Sequence, residues 1–160
     1  MKRRRPSHPR TYTLIDELSA SPTAPLPAAI RTHQLTRMWQ GLAAIEQAPQ
    51  PTTDDWRSVS DAVNLMETLV ELGVLEDGQG LLQDAVAGMA MAGKRALQGG
   101  AIRLDGQGIR AVRAILEDYA EATAVLPARV MVRAHRKTES RILDILTGRR
   151  RPHDVEVVDL

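Results

Sequence analysis

The stretch from Thr52 to Gly73, TTDDWRSVSDAVNLMETLVELG, carries a hydrophobic pattern that one kind of local structure satisfies. Trp56, Val59, Val63, Met66 and Val70 recur at steps of 3, 4, 3 and 4 residues, as one face of a helix with about 3.6 residues per turn requires. Ala62, Leu65, Leu69 and Leu72 form a second stripe beside the first. Only a narrow polar edge remains, made of Arg57, Ser60, Asp61, Asn64, Glu67 and Glu71, so this helix has to be covered from more than one side. Its ends are marked as well. Thr52 with Asp55 resembles a capping box, Asp54 and Asp55 suit the positive end of the helix dipole, and Gly73 can take the left-handed conformation that ends a helix. The pattern predicts the central helix of an all-α domain.

The composition agrees. The chain has 160 residues, one domain's length and enough to bury a core. Hydrophobic residues make up 43% of it but aromatic ones only 2%, with no Phe, so the core must be built from Leu, Ile, Val, Met and Ala. Such a core favours close helix packing over an aromatic-rich β-sandwich. The absence of cysteine excludes a disulfide frame, a thiol nucleophile and a thiolate metal site. No apolar run approaches the ~20 residues of a membrane span, and the basic N-terminus lacks the apolar segment of a secretory signal. A cytoplasmic protein with no membrane partner is the expectation.

Prolines 6, 9, 22, 25 and 27 rule out a continuous helix over residues 1–26, where Thr11 to Leu18 has room for a turn of helix or a short strand. This basic, Pro-rich segment is expected to be a flexible arm, ordered only against a partner. From Pro27 a helix is predicted to about Gln47, with Leu35, Met38, Leu42 and Ile45 on one face, and residues 48–51 break it before the central helix. Another follows from about Gly80 to Leu97, where Ala85, Ala87, Gly88, Ala90, Ala92 and Gly93 would let a neighbour approach closely. The next runs from about Asp105 to Leu126, and Pro127 opens the last, to about Thr147. The expected fold is a single all-α domain of about five helices, packed as an irregular bundle over residues 27–148, with the arm before it and a C-terminal tail at 149–160. The tail alternates Val155, Val157, Val158 and Leu160 with acids, a pattern that suits either a strand added to a partner's sheet edge or a frayed end. Asp77-Gly-Gln-Gly80 recurs as Asp105-Gly-Gln-Gly108, which reads better as two Asp-capped helix starts than as a duplicated unit.

Motifs that carry chemistry are few. Gly88-Met-Ala-Met-Ala-Gly93-Lys94 fits G-x-x-x-x-G-K, but Arg95 stands where a phosphate loop needs Ser or Thr, and the segment lies inside a helical pattern without a preceding strand. Helix packing accounts for it better. His8, His33, His135 and His153 are scattered, with no metal-ligand spacing, and are expected at the surface. Paired carboxylates such as Asp54/Asp55 and Glu117/Asp118 point in different directions on a helix and do not make an acid–base pair. No serine lies in a G-x-S-x-G elbow. Neither an enzyme nor a cofactor or metal site is expected.

Charge is the stronger signal. Residues 1–10 carry +5, residues 11–126 carry −7, residues 127–151 carry +6 and residues 152–160 carry −3, within a formal total of +1. Basic ends on an acidic middle point to an anionic partner, or to ends that fold back on the middle. Arg129, Arg133, Arg136 and Lys137 share one face of the last helix, Arg141 extends that side, and Arg149, Arg150 and Arg151 continue the charge. Lys2, Arg3, Arg4 and Arg5 form a second cluster. Arg-rich patches of this kind neutralise phosphates and release counterions, which makes DNA or a nucleoprotein the expected partner. No aromatic accompanies either cluster, which argues against stacking on single strands, and no recognition-helix pair stands out.

The run Lys2 to Pro6, the pattern Trp56-x-x-Val59-x-x-Ala62-Val63-Asn64 with Glu67 and Leu69 to Gly73, the Ala-rich helix after it and the Leu104-Asp105-Gly106 start together resemble a group of short helical proteins. These belong to phages and proteobacterial mobile elements and are often labelled Fis-type transcriptional regulators. The resemblance covers roughly residues 35–136 and lies in helix-packing positions. It implies a mobile-element origin and a regulatory or accessory role without catalytic residues. The expected function is a non-enzymatic accessory protein that binds DNA or a nucleoprotein through its basic surfaces. The alternative is a protein-binding inhibitor or adaptor, such as an anti-CRISPR-like inhibitor of a host defence complex.

Overall fold

The computed structural model describes residues 11–149, and six helices account for most of them: α1 (Leu14–Ser19), α2 (Ala28–Gln47), α3 (Thr53–Glu71), α4 (Leu82–Leu97), α5 (Gly106–Val125) and α6 (Ala128–Leu146). There is no strand among the described residues. Helix α3 lies against α2, α4, α5 and α6, which makes it the central element. Both of its apolar stripes are enclosed: Val59, Val63 and Leu69 are wholly covered, and Trp56 donates its indole N–H to the Met89 carbonyl of α4 at 2.9 Å. The capping box forms as the sequence predicts. Asp55 Oδ2 accepts the Thr52 N–H at 2.7 Å, and Thr52 Oγ1 accepts the Asp55 N–H at 3.2 Å. Gly73, with φ of +68°, follows the last turn.

Two close approaches position the neighbours. A Cβ at Gly41 of α2 would stand 2.6 Å from the Asp55 carbonyl oxygen at the start of α3, a backbone atom that cannot rotate aside. A Cβ at Gly88 of α4 would stand 3.3 Å from the Gly108 Cα of α5. Gly88 is therefore a helix-packing position, and the G-x-x-x-x-G-K match is interior to α4. The two Asp-Gly-Gln-Gly segments both serve helix starts. Asp105 Oδ1 accepts the Gly108 N–H at 2.6 Å, and the Asp77 carboxylate accepts the N–H groups of Leu81 and Leu82, each at 3.1 Å. Arg103 reaches the other end of α2, donating to the carbonyls of Ile45, at 2.6 Å, Ala48 and Pro49 that the helix leaves without partners.

The sequence predicts about five helices with residues 1–26 as an arm; the structure adds α1 and packs residues 11–26 onto α6. A six-residue helix has no stability of its own. The α1 helix gains it from a capping box between Thr13 and Asp16 and from contacts with α6. The Thr11 N–H donates to Glu139 Oε1 at 2.9 Å, Glu17 pairs with Arg136, and Arg129 donates to the carbonyls of Leu18 and Ala20 at 3.0 and 3.3 Å. The connection to α2 then supplies what α6 lacks. Pro127 gives α6 no side-chain cap, and the N–H groups of Ala128 and Arg129 donate instead to Ala24 and Ser21 at 2.8 and 2.9 Å. Leu26 is buried at the end of this strap. The prolines do break helical structure, but a non-helical strap still packs. Residues 1–10 and 150–160, including the tail alternation, lie outside the described residues.

Candidate functional site

The cations singled out in the sequence divide into two sets. Arg141 is turned into the seam between α3 and α6, only 9% exposed, where Nη1 stands 2.8 Å from Glu67 and 3.1 Å from Glu71, and Nη2 donates to the Asn64 carbonyl. Thr68 and Thr138 share a 2.7 Å hydrogen bond in the same seam. Arg141 of α6 thus meets the polar edge of α3 at Asn64, Glu67 and Glu71, and part of the charge asymmetry is answered inside the molecule. Arg136 and Arg129 hold α1, and Arg149 pairs with Asp144 at 3.0 Å. The outer set is Arg133 and Lys137, exposed one turn apart on α6 and without an ion pair to any described residue. With Arg136 they converge on a hollow of about 390 Å³ between α1 and α6, whose lining also includes Glu17, Glu139 and Ser140. Lys2, Arg3, Arg4, Arg5, Arg150 and Arg151 lie outside the described residues.

A second feature was not legible in the sequence. A cleft of about 390 Å³ opens between α2, α3, α5 and α6. His33, Arg37 and Asp61 stand exposed at its rim, Gln34, His135 and Glu139 form its walls, and Met38, Leu65 and Tyr119 lie buried beneath. His135, expected at the surface, is mostly enclosed, and its ring packs against Tyr12 at 5.3 Å between centroids. Burial shapes the titration of this group of residues. Desolvation pushes the Tyr119 phenol up to about 12, with the Asp61 charge adding to it. It raises the Tyr12 phenol, helped by Asp16 and Glu139, and lowers His135 against the opposing pull of Glu139. Asp61 is exposed at the rim, yet the surrounding protein removes enough water to raise its carboxyl above the ordinary range, while Arg37 and Arg57 act in the other direction.

These directions predict a pH signature. A raised Asp61 pKa means that the folded state holds its proton more tightly, so stability present below the unfolded value, about 3.9, is lost as pH rises through the folded value. His135 has the opposite sign. Its lowered pKa leaves stability intact above the unfolded value of about 6.5 and removes it as pH falls through the folded value. Glu139, one turn along α6, opposes the effect of burial on His135, and Arg37 and Arg57 oppose it on Asp61. Asp61→Asn is expected to raise the melting temperature at pH 7 but not at pH 3, and His135→Gln to flatten the loss of stability below pH 6.5, both followed by thermal denaturation.

No group of three or more His, Cys, Asp or Glu side chains among the described residues is placed to hold a metal ion. No helix among them is long and apolar enough to cross a membrane. Compared with protein-family models, curated proteins and solved structures, the chain matches none. Function therefore rests on the two sites themselves.

Proposed function

We propose that this chain is a non-enzymatic accessory protein of a phage or mobile element that binds DNA or a nucleoprotein through the outer side of α6. The observation that carries this reading is the convergence of Arg133, Arg136 and Lys137 on one hollow, with Arg133 and Lys137 exposed and outside any ion pair with described residues. Cations presented this way bind phosphates by displacing condensed counterions, without reading bases. Arg129, in the first turn of α6, holds α1, Arg149 just past its end pairs with Asp144, and Arg141 serves the fold.

Binding to duplex DNA is expected to weaken steeply with salt. Each phosphate contact contributes about −0.9 to the slope of log K against log salt, so Arg133→Ala with Lys137→Ala should flatten that slope by roughly 2. Both side chains are exposed, so the melting temperature should stay unchanged. No binding at low salt, or an unchanged slope in the double variant, overturns the reading.

A second reading, a protein-binding inhibitor or adaptor acting on a host defence complex, is favoured by one observation. On α1, Leu14, Ile15 and Leu18 are 53%, 76% and 63% exposed, so an amphipathic helix held by its polar contacts turns apolar side chains outward. Tight association with a purified protein partner, lost in Ile15→Asp, beside no binding of DNA, would make this the better reading.

A further inference from the structure

The helix that lies on the basic face of α6 is short, acidic and held mainly by polar groups. No residue of α1 is buried, and Leu14, Ile15 and Leu18 are exposed. Tyr12 and Ala20, which flank it, pack partly against the core, Tyr12 beside His135. The rest of its hold on α6 is polar: Glu17 pairs with Arg136, the Thr11 N–H donates to Glu139, and Arg129 donates to the carbonyls of Leu18 and Ala20. Contacts of this kind are weak individually and screened by salt, and six residues do not sustain a helix alone. Beyond Ala20 the attachment changes. Ser21 and Ala24 accept the first N–H groups of α6 and Leu26 is buried, so the strap belongs to the body of the fold and α1 is joined to it at one end.

Resting on the reading of α6 as a phosphate-binding surface, we propose that α1 is an internal occupant of that surface, displaced when a duplex docks, and that Arg129 and Arg136 are further phosphate contacts which it withholds. Arg129, Arg133, Arg136 and Lys137 fall at i, i+4, i+7 and i+8, on one face over about 12 Å of helix. With α1 in place, two of these four cations already have oxygen acceptors, the Glu17 carboxylate and the two carbonyls at the end of α1. A phosphate offers the same guanidinium groups an acceptor of the same kind, and a charged one where Arg129 now has only carbonyls. Glu17 also sets a negative charge in the hollow lined by Arg133, Arg136 and Lys137, where it repels an approaching phosphate. Displacement removes that charge and raises the available cations in the row from two to four. The exposed Leu14, Ile15 and Leu18 lose no apolar burial when the helix leaves, whereas Tyr12 and Ala20 do, which keeps the covered form the resting one. A chain whose binding-competent form is a fraction of the population binds more weakly by that fraction, so α1 sets the affinity of the surface beneath it.

The full chain is titrated at low salt with a short DNA duplex of arbitrary sequence while backbone amides are followed by NMR. At saturation the amides of Leu14 to Ser19 are expected to move to the positions of an unstructured peptide, while Ala128 and Arg129, bonded to the strap, keep their protection from hydrogen exchange. Glu17→Gln removes the ion pair and should tighten binding roughly three- to tenfold. Leu18→Pro breaks α1 without changing any charge and should tighten it by a similar factor, which separates displacement from the mere removal of a repelling acid. In the Glu17→Gln chain, Arg129→Ala with Arg136→Ala should flatten the slope of log K against log salt by roughly 2. Amides of α1 unmoved at saturation, Leu18→Pro binding no tighter than the unaltered chain, or an unchanged salt slope in that triple variant overturns the proposal while DNA binding by α6 stands. No binding by any variant at low salt removes the DNA reading, and this proposal with it.

Discussion

Leu69→Ala is expected to lower the free energy of unfolding by about 3–5 kcal/mol, measured by urea denaturation with the slope m unchanged. Leu69 is 0% exposed on the helix that touches four others, so the loss combines the transfer of its side chain with a cavity that no single neighbour can fill by moving. Against a typical total of about 5–15 kcal/mol, that loss is enough to unfold part of the population. The comparison is Met91→Ala on α4, where the side chain is 57% exposed and the change should be within about 0.5 kcal/mol. A Leu69→Ala cost below about 1 kcal/mol would mean that α3 is not enclosed as described.

The second large effect is expected at Arg141. Its guanidinium spans Glu67, Glu71 and the Asn64 carbonyl, so Arg141→Ala removes the counterion of two carboxylates at once. Those two are then left one turn apart on α3, where like charges repel. Breaking a fully buried pair costs about 3–5 kcal/mol; Glu71 is 44% exposed and solvent recovers part of that, so ~2–3 kcal/mol is expected here. Arg141→Lys should recover little, because a single ammonium does not reproduce a planar fork bridging acceptors in different directions. In a double-mutant cycle with Glu67→Ala, the coupling should be about 1–3 kcal/mol. An Arg141→Ala variant of unchanged stability, defective only in binding DNA, would place Arg141 among the ligand-contacting residues instead.

The two effects differ in how visible they were beforehand. Leu69 belongs to a stripe whose period, caps and terminating glycine all lie within about twenty residues, and local patterns of that kind are readable without a fold. Arg141 is a different case. Its position on the helix placed it beside Lys137 and Arg133, and nothing local distinguishes a cation that meets solvent from one that meets Glu67, more than seventy residues earlier. The same limit explains α1. Six residues with a capping box are too few to signal a stable helix, and the contacts that hold them come from α6 at the opposite end of the described chain. For the cleft, one clue was present: His135 and Glu139 are four residues apart and so share a helix face. Gln34 and Asp61, on two other helices, join them only through packing.

From its sequence alone this protein was bound to be helical, with α3 at the centre, because apolar periodicity and end signals act on neighbours along the chain and outweigh alternatives within each segment. The pairing of its charges was decided only in three dimensions. Coulomb attraction and desolvation depend on distance through space and on the water that packing excludes, and neither quantity exists until α6 meets the polar edge of α3 and the strap before α2 closes over its start.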